Sequence, residues 1–236
     1  MQFIGREYEL EAFDQFYRDK QASFLILYGR PHIGKTCLIT HWLKTRAIAD
    51  YFYWAAPALD PGLQLRAFSQ ALKTFEHRHG QAASAGADFQ YWDDALKHLA
   101  DLAKQSPDKP LLIIIEELSN LLRYERGVAS AFQVAWDQNW SQIPNFRLVL
   151  TGSLVHTLQR KAISARAPLY FRARSQLHLF PLRYRELCRL YPNWRPAERV
   201  ALYAITGGVP AAWNYSRGAA IWRTGSSRPW RPGASC

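Results

Sequence analysis

Gly29-Arg30-Pro31-His32-Ile33-Gly34-Lys35-Thr36 fits the pattern G-x-x-x-x-G-K-[ST] at every fixed position. The flanks read as the elements such a loop needs. Residues 23–28, Ser-Phe-Leu-Ile-Leu-Tyr, form a short apolar run suited to a buried strand, and residues 37–44 have the spacing of an amphipathic helix. A strand, a glycine-bounded loop and a helix N-terminus build an anion site from backbone N–H groups and the helix dipole. Gly29 and Gly34 permit backbone angles that a Cβ obstructs. Arg30, Pro31, His32 and Ile33 are the variable positions of the cradle, His32 needing no role of its own, and Cys37 follows it into the helix. Lys35 is expected to reach the β- and γ-phosphates, and Thr36 to offer its hydroxyl to Mg²⁺.

A phosphate loop needs an acid on a neighbouring strand, and Leu111-Leu-Ile-Ile-Ile-Glu116-Glu117 supplies one. Apolar residues followed by acids place carboxylates at the C-terminal edge of a strand, where open α/β sheets bind ligands. Glu116 is expected to hold the cation and Glu117 to act as general base on the attacking water. The usual cation-holding residue is aspartate; the extra methylene of Glu116 displaces the carboxylate by ~1.5 Å on a fixed backbone. Arg147-Leu-Val-Leu-Thr151-Gly-Ser153 is another apolar strand, ending in hydroxyls. Thr151 or Ser153 could sense the γ-phosphate there. Arg172 and Arg174, in the loop before the last strand, could stabilise γ-phosphate charge in cis or across a subunit interface. His77 and His79 stand two apart on a helix and point in different directions, which argues against a metal pair.

The chain has 236 residues and is 48% hydrophobic, enough for one large α/β domain or one domain plus a fragment. No apolar run approaches the ~20 residues of a membrane span, and the N-terminus does not read as a secretory signal. Three widely separated cysteines, Cys37, Cys188 and Cys236, fit neither a disulfide framework nor a zinc site, which points to a reducing cytoplasm. The net charge of +11 is uneven: residues 1–155 sum to −1, and residues 156–236 to +12, almost all from arginine. A basic segment of this kind is a candidate for contact with DNA or another polyanion.

Candidate strands cover 23–28, 51–54, 111–115, 147–151 and 176–179. Helical patterns cover 6–18, 35–46, 62–79, 89–104, 128–140, 183–190 and 196–205. Their alternation predicts an α/β fold with a parallel sheet covered on both faces. Residues 81–88 read as a small-residue loop. The expected organisation is a nucleotide-binding domain over 1–192, the start of a helical or winged-helix lid over 193–215, and a disordered tail over 216–236. The tail is rich in Gly, Pro, Ser and Arg. It reads either as an interaction tail or as the product of a lost reading frame.

The ordered set of motifs resembles the archaeal-type ATPases of the STAND branch of P-loop NTPases, relatives of the AAA+ group. The resemblance covers roughly residues 2–215. It rests on Phe3-Ile-Gly-Arg-Glu-Tyr-Glu-Leu10, the loop at 29–36, the acid strand at 111–117, Leu150-Thr-Gly-Ser153, Pro168-Leu-Tyr-Phe-Arg172, Leu179-Phe-Pro-Leu182 and Tyr203-Ala-Ile-Thr-Gly-Gly-Val-Pro210. It implies a sheet in the order 5-1-4-3-2, with Phe3, Ile4, Gly5 and Arg6 near the adenine. Residues 207–210, Pro210 included, would begin a lid that closes over the nucleotide. The chain departs from that pattern at Glu116, where aspartate is usual, and at Phe171, where glycine usually precedes the arginine equivalent to Arg172. Both departures bear on hydrolysis more than on binding. The expectation is an ATP-binding protein, hydrolysing ATP with Mg²⁺ as a regulatory switch, with a homo-oligomer compatible with it. The rivals are a truncated or degenerate ATPase that binds without turnover, a nucleic-acid-associated module regulated by ATP, and a small-molecule kinase. No guanine-reading motif is present.

Overall fold

Residues 23–28 are apolar throughout because side chains on both faces of their strand are buried, while neighbouring strands pair with its backbone on either side. In a computed structural model of the chain, β1 (Ser23–Tyr28) pairs in parallel with β4 (Phe146–Gly152) and with β5 (Ser175–His178). Beyond β4 lie β3 (Leu111–Glu116) and the edge strand β2 (Tyr51–Ala55), also parallel. The five strands run β2-β3-β4-β1-β5, which is the order 5-1-4-3-2 implied by the resemblance, with β4 inserted between the phosphate-loop strand and the acid strand. The structure describes residues 3–79, 88–124, 127–158, 160, 164–165 and 167–213. The tail expected over 216–236 and nearly all of the small-residue loop lie outside these residues.

The two sheet faces carry different layers. Phe24 and Ile26 of β1, Phe52 and Trp54 of β2, Ile113 and Ile115 of β3, and Leu148 and Leu150 of β4 belong to one buried cluster. Helices α3 (Pro61–Arg78) and α4 (Trp92–Gln105) add Phe68 and Trp92 to it, and Trp54 meets Phe68 edge-on at a centroid distance of 5.1 Å. Such aromatic pairs combine large burial with a defined geometry. Helix α1 (Glu7–Arg18) packs on α2 (Lys35–Thr45) through Phe13 and Trp42, 5.0 Å apart. Asp14 fixes that contact, accepting a bond from the Trp42 indole at 2.9 Å and a forked pair from Arg46.

Shorter elements complete the fold around the sheet. Helices α5 (Leu118–Tyr124), α6 (Val128–Gln138) and α7 (Val155–Leu158) follow the acid strand and β4. The helical pattern over 128–140 ends at Gln138, and a 3₁₀ turn over Trp140–Gln142 follows. Asn139, at φ −130°, breaks the helix between them and lets Trp140 turn into the core, where its indole donates to Leu96 O.

The chain divides into two units, Arg6–Phe180 and Met1–Gly5 with Pro181–Cys236. The division falls at Pro181, earlier than the boundary expected at 192. The reason is packing: Leu182, with Leu187 and Leu190 of α8 (Tyr184–Leu190), shares a core with Leu202 of α9 (Pro196–Thr206) and with Trp213. Tyr191 donates from its hydroxyl to Trp213 O at 3.1 Å, and Ile4 packs against the same cluster. Gly208, at φ +75°, leaves no room for a side chain there, since a Cβ would lie 2.2 Å from Leu182 O.

Among the described residues, no helix is long and apolar enough to cross a membrane. His79 is tied to Phe75 O through Nδ1 and to Asp50 through Nε2, each at 2.7 Å, so its ring serves the end of α3.

Candidate functional site

The loop after β1 is shaped by two left-handed residues. His32 has φ +63° and Gly34 φ +98°, so His32 carries a backbone requirement that its variable position hides. Alternation of left- and right-handed residues turns successive N–H groups toward one point and forms an anion-binding concavity. Gly29 is required for a different reason: a Cβ there would sit 2.6 Å from the carbonyl oxygen of Leu179. That contact is with backbone and has no side chain to swing away. Ile33 is fully buried and anchors the loop from below, while Arg30, Pro31 and His32 are exposed. Thr36 and Cys37, in the first turn of α2, are exposed as well, and N–H groups of a first turn have no partner within the helix.

Lys35 folds its ammonium back over the loop, donating to Gly29 O at 3.1 Å and Arg30 O at 3.2 Å. The side chain is buried, and burial pushes its pKa below the usual lysine range, against the pull of Glu117 and Glu116. A buried ammonium hydrogen-bonded to neutral carbonyls is a site prepared for an anion, since a phosphate would reverse the desolvation penalty.

Glu116 closes β3 and is buried. Its Oε2 accepts two hydrogen bonds, from Thr36 Oγ1 at 3.0 Å and from the Tyr53 phenol at 2.8 Å. Its Oε1 is buried with no hydrogen-bond partner among the described residues. An ionised oxygen left bare in this way is costly unless water or a cation meets it. Thr36 and Glu116 therefore fit the donor set expected for Mg²⁺, a hard cation that keeps several waters and takes phosphate oxygens as further ligands. Among the described residues, no group of three or more His, Cys, Asp or Glu side chains gathers at one point.

Glu117 follows at φ +56°, a left-handed conformation that costs a glutamate about 1–3 kcal/mol. Its carboxylate accepts a hydrogen bond from Ser153 Oγ at 2.5 Å. Of the two sensor candidates, Ser153 thus touches the proposed base. Thr151 is buried between strands, and its hydroxyl has no partner among the described residues. Gly152 between them is tightly packed: a Cβ there would lie 2.5 Å from Leu158 Cδ1 and 2.8 Å from Ser119 Oγ.

Arg172 points to a partner the sequence did not suggest. Its guanidinium grips Asp137 of α6 with two bonds, at 2.8 and 2.7 Å, and donates a third to Pro168 O. It must exchange Asp137 for phosphate to act on a nucleotide in cis. Arg174 is paired with Asp19. Arg6, expected near the adenine, donates to Glu9, to Ile33 O of the phosphate loop at 3.3 Å and to Phe180 O at 2.7 Å. It thereby ties the loop at Ile33 to the segment at Phe180. Ile4, Gly5 and Pro210 belong to the other unit, where Gly5 has φ +67° and a Cβ would press on Glu186. Tyr53 escaped the sequence reading. The register of β2 on β3 pairs Tyr53 with Ile114, so Tyr53 and Glu116 share a face as diagonal neighbours, within reach of a long side chain.

The comparisons with known proteins place this geometry in a class. Solved structures share the parallel sheet with its inserted strand. The Walker-type ATPase of Pyrococcus abyssi has a TM-score of 0.65 at 18% identity, over 95% of this chain and 69% of that one. The ORC2 protein of Aeropyrum pernix in its ADP form has a TM-score of 0.60 at 18% identity, over 93% and 66%. At these identities the likeness defines the fold, and the fold is that of P-loop NTPases. An uncharacterized protein of Methanocaldococcus jannaschii is 27% identical over 209 residues, which are 88% of this chain and 42% of that protein. The chain therefore spans about two fifths of that relative's length. An uncharacterized ATP-binding protein of the same organism is 39% identical over 46 residues, 20% of this chain and 78% of its own. No protein-family model matches the chain.

Proposed function

We propose that this chain binds ATP and hydrolyses it with Mg²⁺, and that the nucleotide state acts as a regulatory switch. The observation that carries the reading is Glu116, buried, held by Thr36 and Tyr53, with one oxygen bare beside the phosphate loop. The description of one relative as an ATP-binding protein supports it. Lys35 exchanges its loop carbonyls for phosphate oxygens. Thr36 and Glu116 would hold Mg²⁺, which when bound would supply neutralisation of phosphate charge. Glu117, aimed by Ser153, takes a proton from the water whose oxygen attacks the γ-phosphorus as the bond to the β-phosphate oxygen breaks. The products are ADP and inorganic phosphate.

On this reading the chain is a cytoplasmic member of the STAND branch. Ile4, Gly5, Arg6 and Pro210 line the adenine side, the segment from 193 onward contributes to a lid, and Arg172 reaches phosphate after leaving Asp137, in cis or in a homo-oligomer. The test is phosphate release by the purified chain. Release is expected to require Mg²⁺ and to stop in EDTA. Equal release in both would reduce the chain to a binder without turnover.

A second reading adds contact with a polyanion such as DNA, favoured by the charge of +12 over residues 156–236. Arg172 and Arg174 are spent on Asp137 and Asp19, which lowers the number of free contacts. Duplex affinity should then fall with salt, but less steeply than the ~10³–10⁵ between 50 and 200 mM typical of six to ten phosphate contacts. No binding at low salt would remove the reading.

A further inference from the structure

We propose that Tyr53 is a positioning residue for the divalent cation, its phenol holding the long carboxylate of Glu116 where an aspartate would need no such support. The inference rests on the reading of Glu116 as a cation-holding acid. It goes beyond it in assigning a role to the edge strand, which no phosphate-loop or acid-strand pattern contains.

Three observations carry it. Glu116 Oε2 accepts from both Thr36 Oγ1 and Tyr53 Oη, so the two donors converge on one oxygen and leave Oε1 bare. Thr36 can donate its proton to Glu116 and still offer a lone pair to a cation, but its hydroxyl would then move with the cation, whereas Tyr53 is the anchor of the carboxylate that lies outside the cation's own ligands. Tyr53 is in turn fixed by strand register: its partner Ile114 lies two residues before Glu116 on the same face of β3. Glutamate has one more rotatable bond than aspartate, and freedom at that bond is what a fixed donor removes. Partners that orient a ligating group typically govern metal affinity by 10–100-fold.

The experiment is Mn²⁺ binding, followed by electron paramagnetic resonance, in the presence of saturating ADP. It compares wild type, Tyr53→Phe, Glu116→Asp and the double variant, with ADP affinity in EDTA measured for each. Tyr53→Phe is expected to raise the half-saturating Mn²⁺ concentration by about 10–100-fold while ADP affinity in EDTA stays within about two-fold. In the Glu116→Asp background, where the carboxylate is drawn back by ~1.5 Å, the same change should have an effect under about two-fold. Unchanged Mn²⁺ affinity in Tyr53→Phe would overturn the inference, as would full additivity of the two substitutions. Loss of ADP affinity in EDTA would also overturn it, by making Tyr53 a support of the fold. Wild type that binds no ADP would instead remove the nucleotide reading beneath it, and the inference with it.

Discussion

Glu117→Gln is expected to lower Mg²⁺-dependent ATP turnover by about 10²–10⁴-fold, the usual contribution of a positioned general base. Affinity for ATP should hardly change, because a base acts on water in the transition state and scarcely on bound substrate. The geometry makes the exchange clean. Glutamine keeps the size of the side chain, and its amide oxygen can still accept the bond that Ser153 Oγ now donates at 2.5 Å. Glutamine has the same branching as glutamate and meets the left-handed backbone at φ +56° on the same terms. What is lost is the ability to take a proton. Single-turnover phosphate release, with affinity from a fluorescent ATP analogue, separates the two effects. Turnover within about three-fold of wild type would show that Glu117 is not the base.

The fold was legible where local pattern and topology agree. Residues 23–28 and 111–115 are apolar runs largely buried on both faces, and runs of that kind occur in parallel sheets. Residues 51–55 are four consecutive aromatics and an alanine whose burial alternates, because β2 is an edge strand with one face in the core. Helices α5 and α7 were not foreseen. With seven and four residues, neither is long enough to show a period, and both exist because tertiary packing holds them. The helical pattern through Trp140 overran, since nothing in Asn139 alone announces that the backbone turns there.

The site was legible to the extent that it is made by local backbone. Gly29 and Gly34 are demanded by a close approach and by a positive φ within the loop itself, and a short motif encodes both. Glu116 and Glu117 were readable because they end an apolar run. Relations across the sheet were not. The Tyr53 phenol meets Glu116 across a separation of 63 residues, and Arg172 meets Asp137 across 35. Only strand register and helix packing decide such pairs, and a single sequence states neither. Arg6 shows the same limit: it stands at the N-cap position of α1, yet its guanidinium supports Ile33 of the phosphate loop.

The loss of Lys35 bears most directly on the central claim. Its ammonium is buried, shifted down in pKa by that burial, and satisfied by the carbonyls of Gly29 and Arg30. Those carbonyls can find water when the lysine is removed, but phosphates at the loop cannot replace a charged donor. Hydrogen bonds to charged groups contribute about 1.5–3 kcal/mol, which corresponds to roughly 10- to 150-fold in affinity. Isothermal titration of Mg²⁺-ATP into the wild-type chain and into Lys35→Ala, with matched circular dichroism spectra, reads that difference. The structure predicts saturable binding by wild type and at least about ten-fold weaker binding by the variant. Equal affinities, or no binding by the folded wild-type chain, would contradict the assignment of residues 29–36 as its phosphate site.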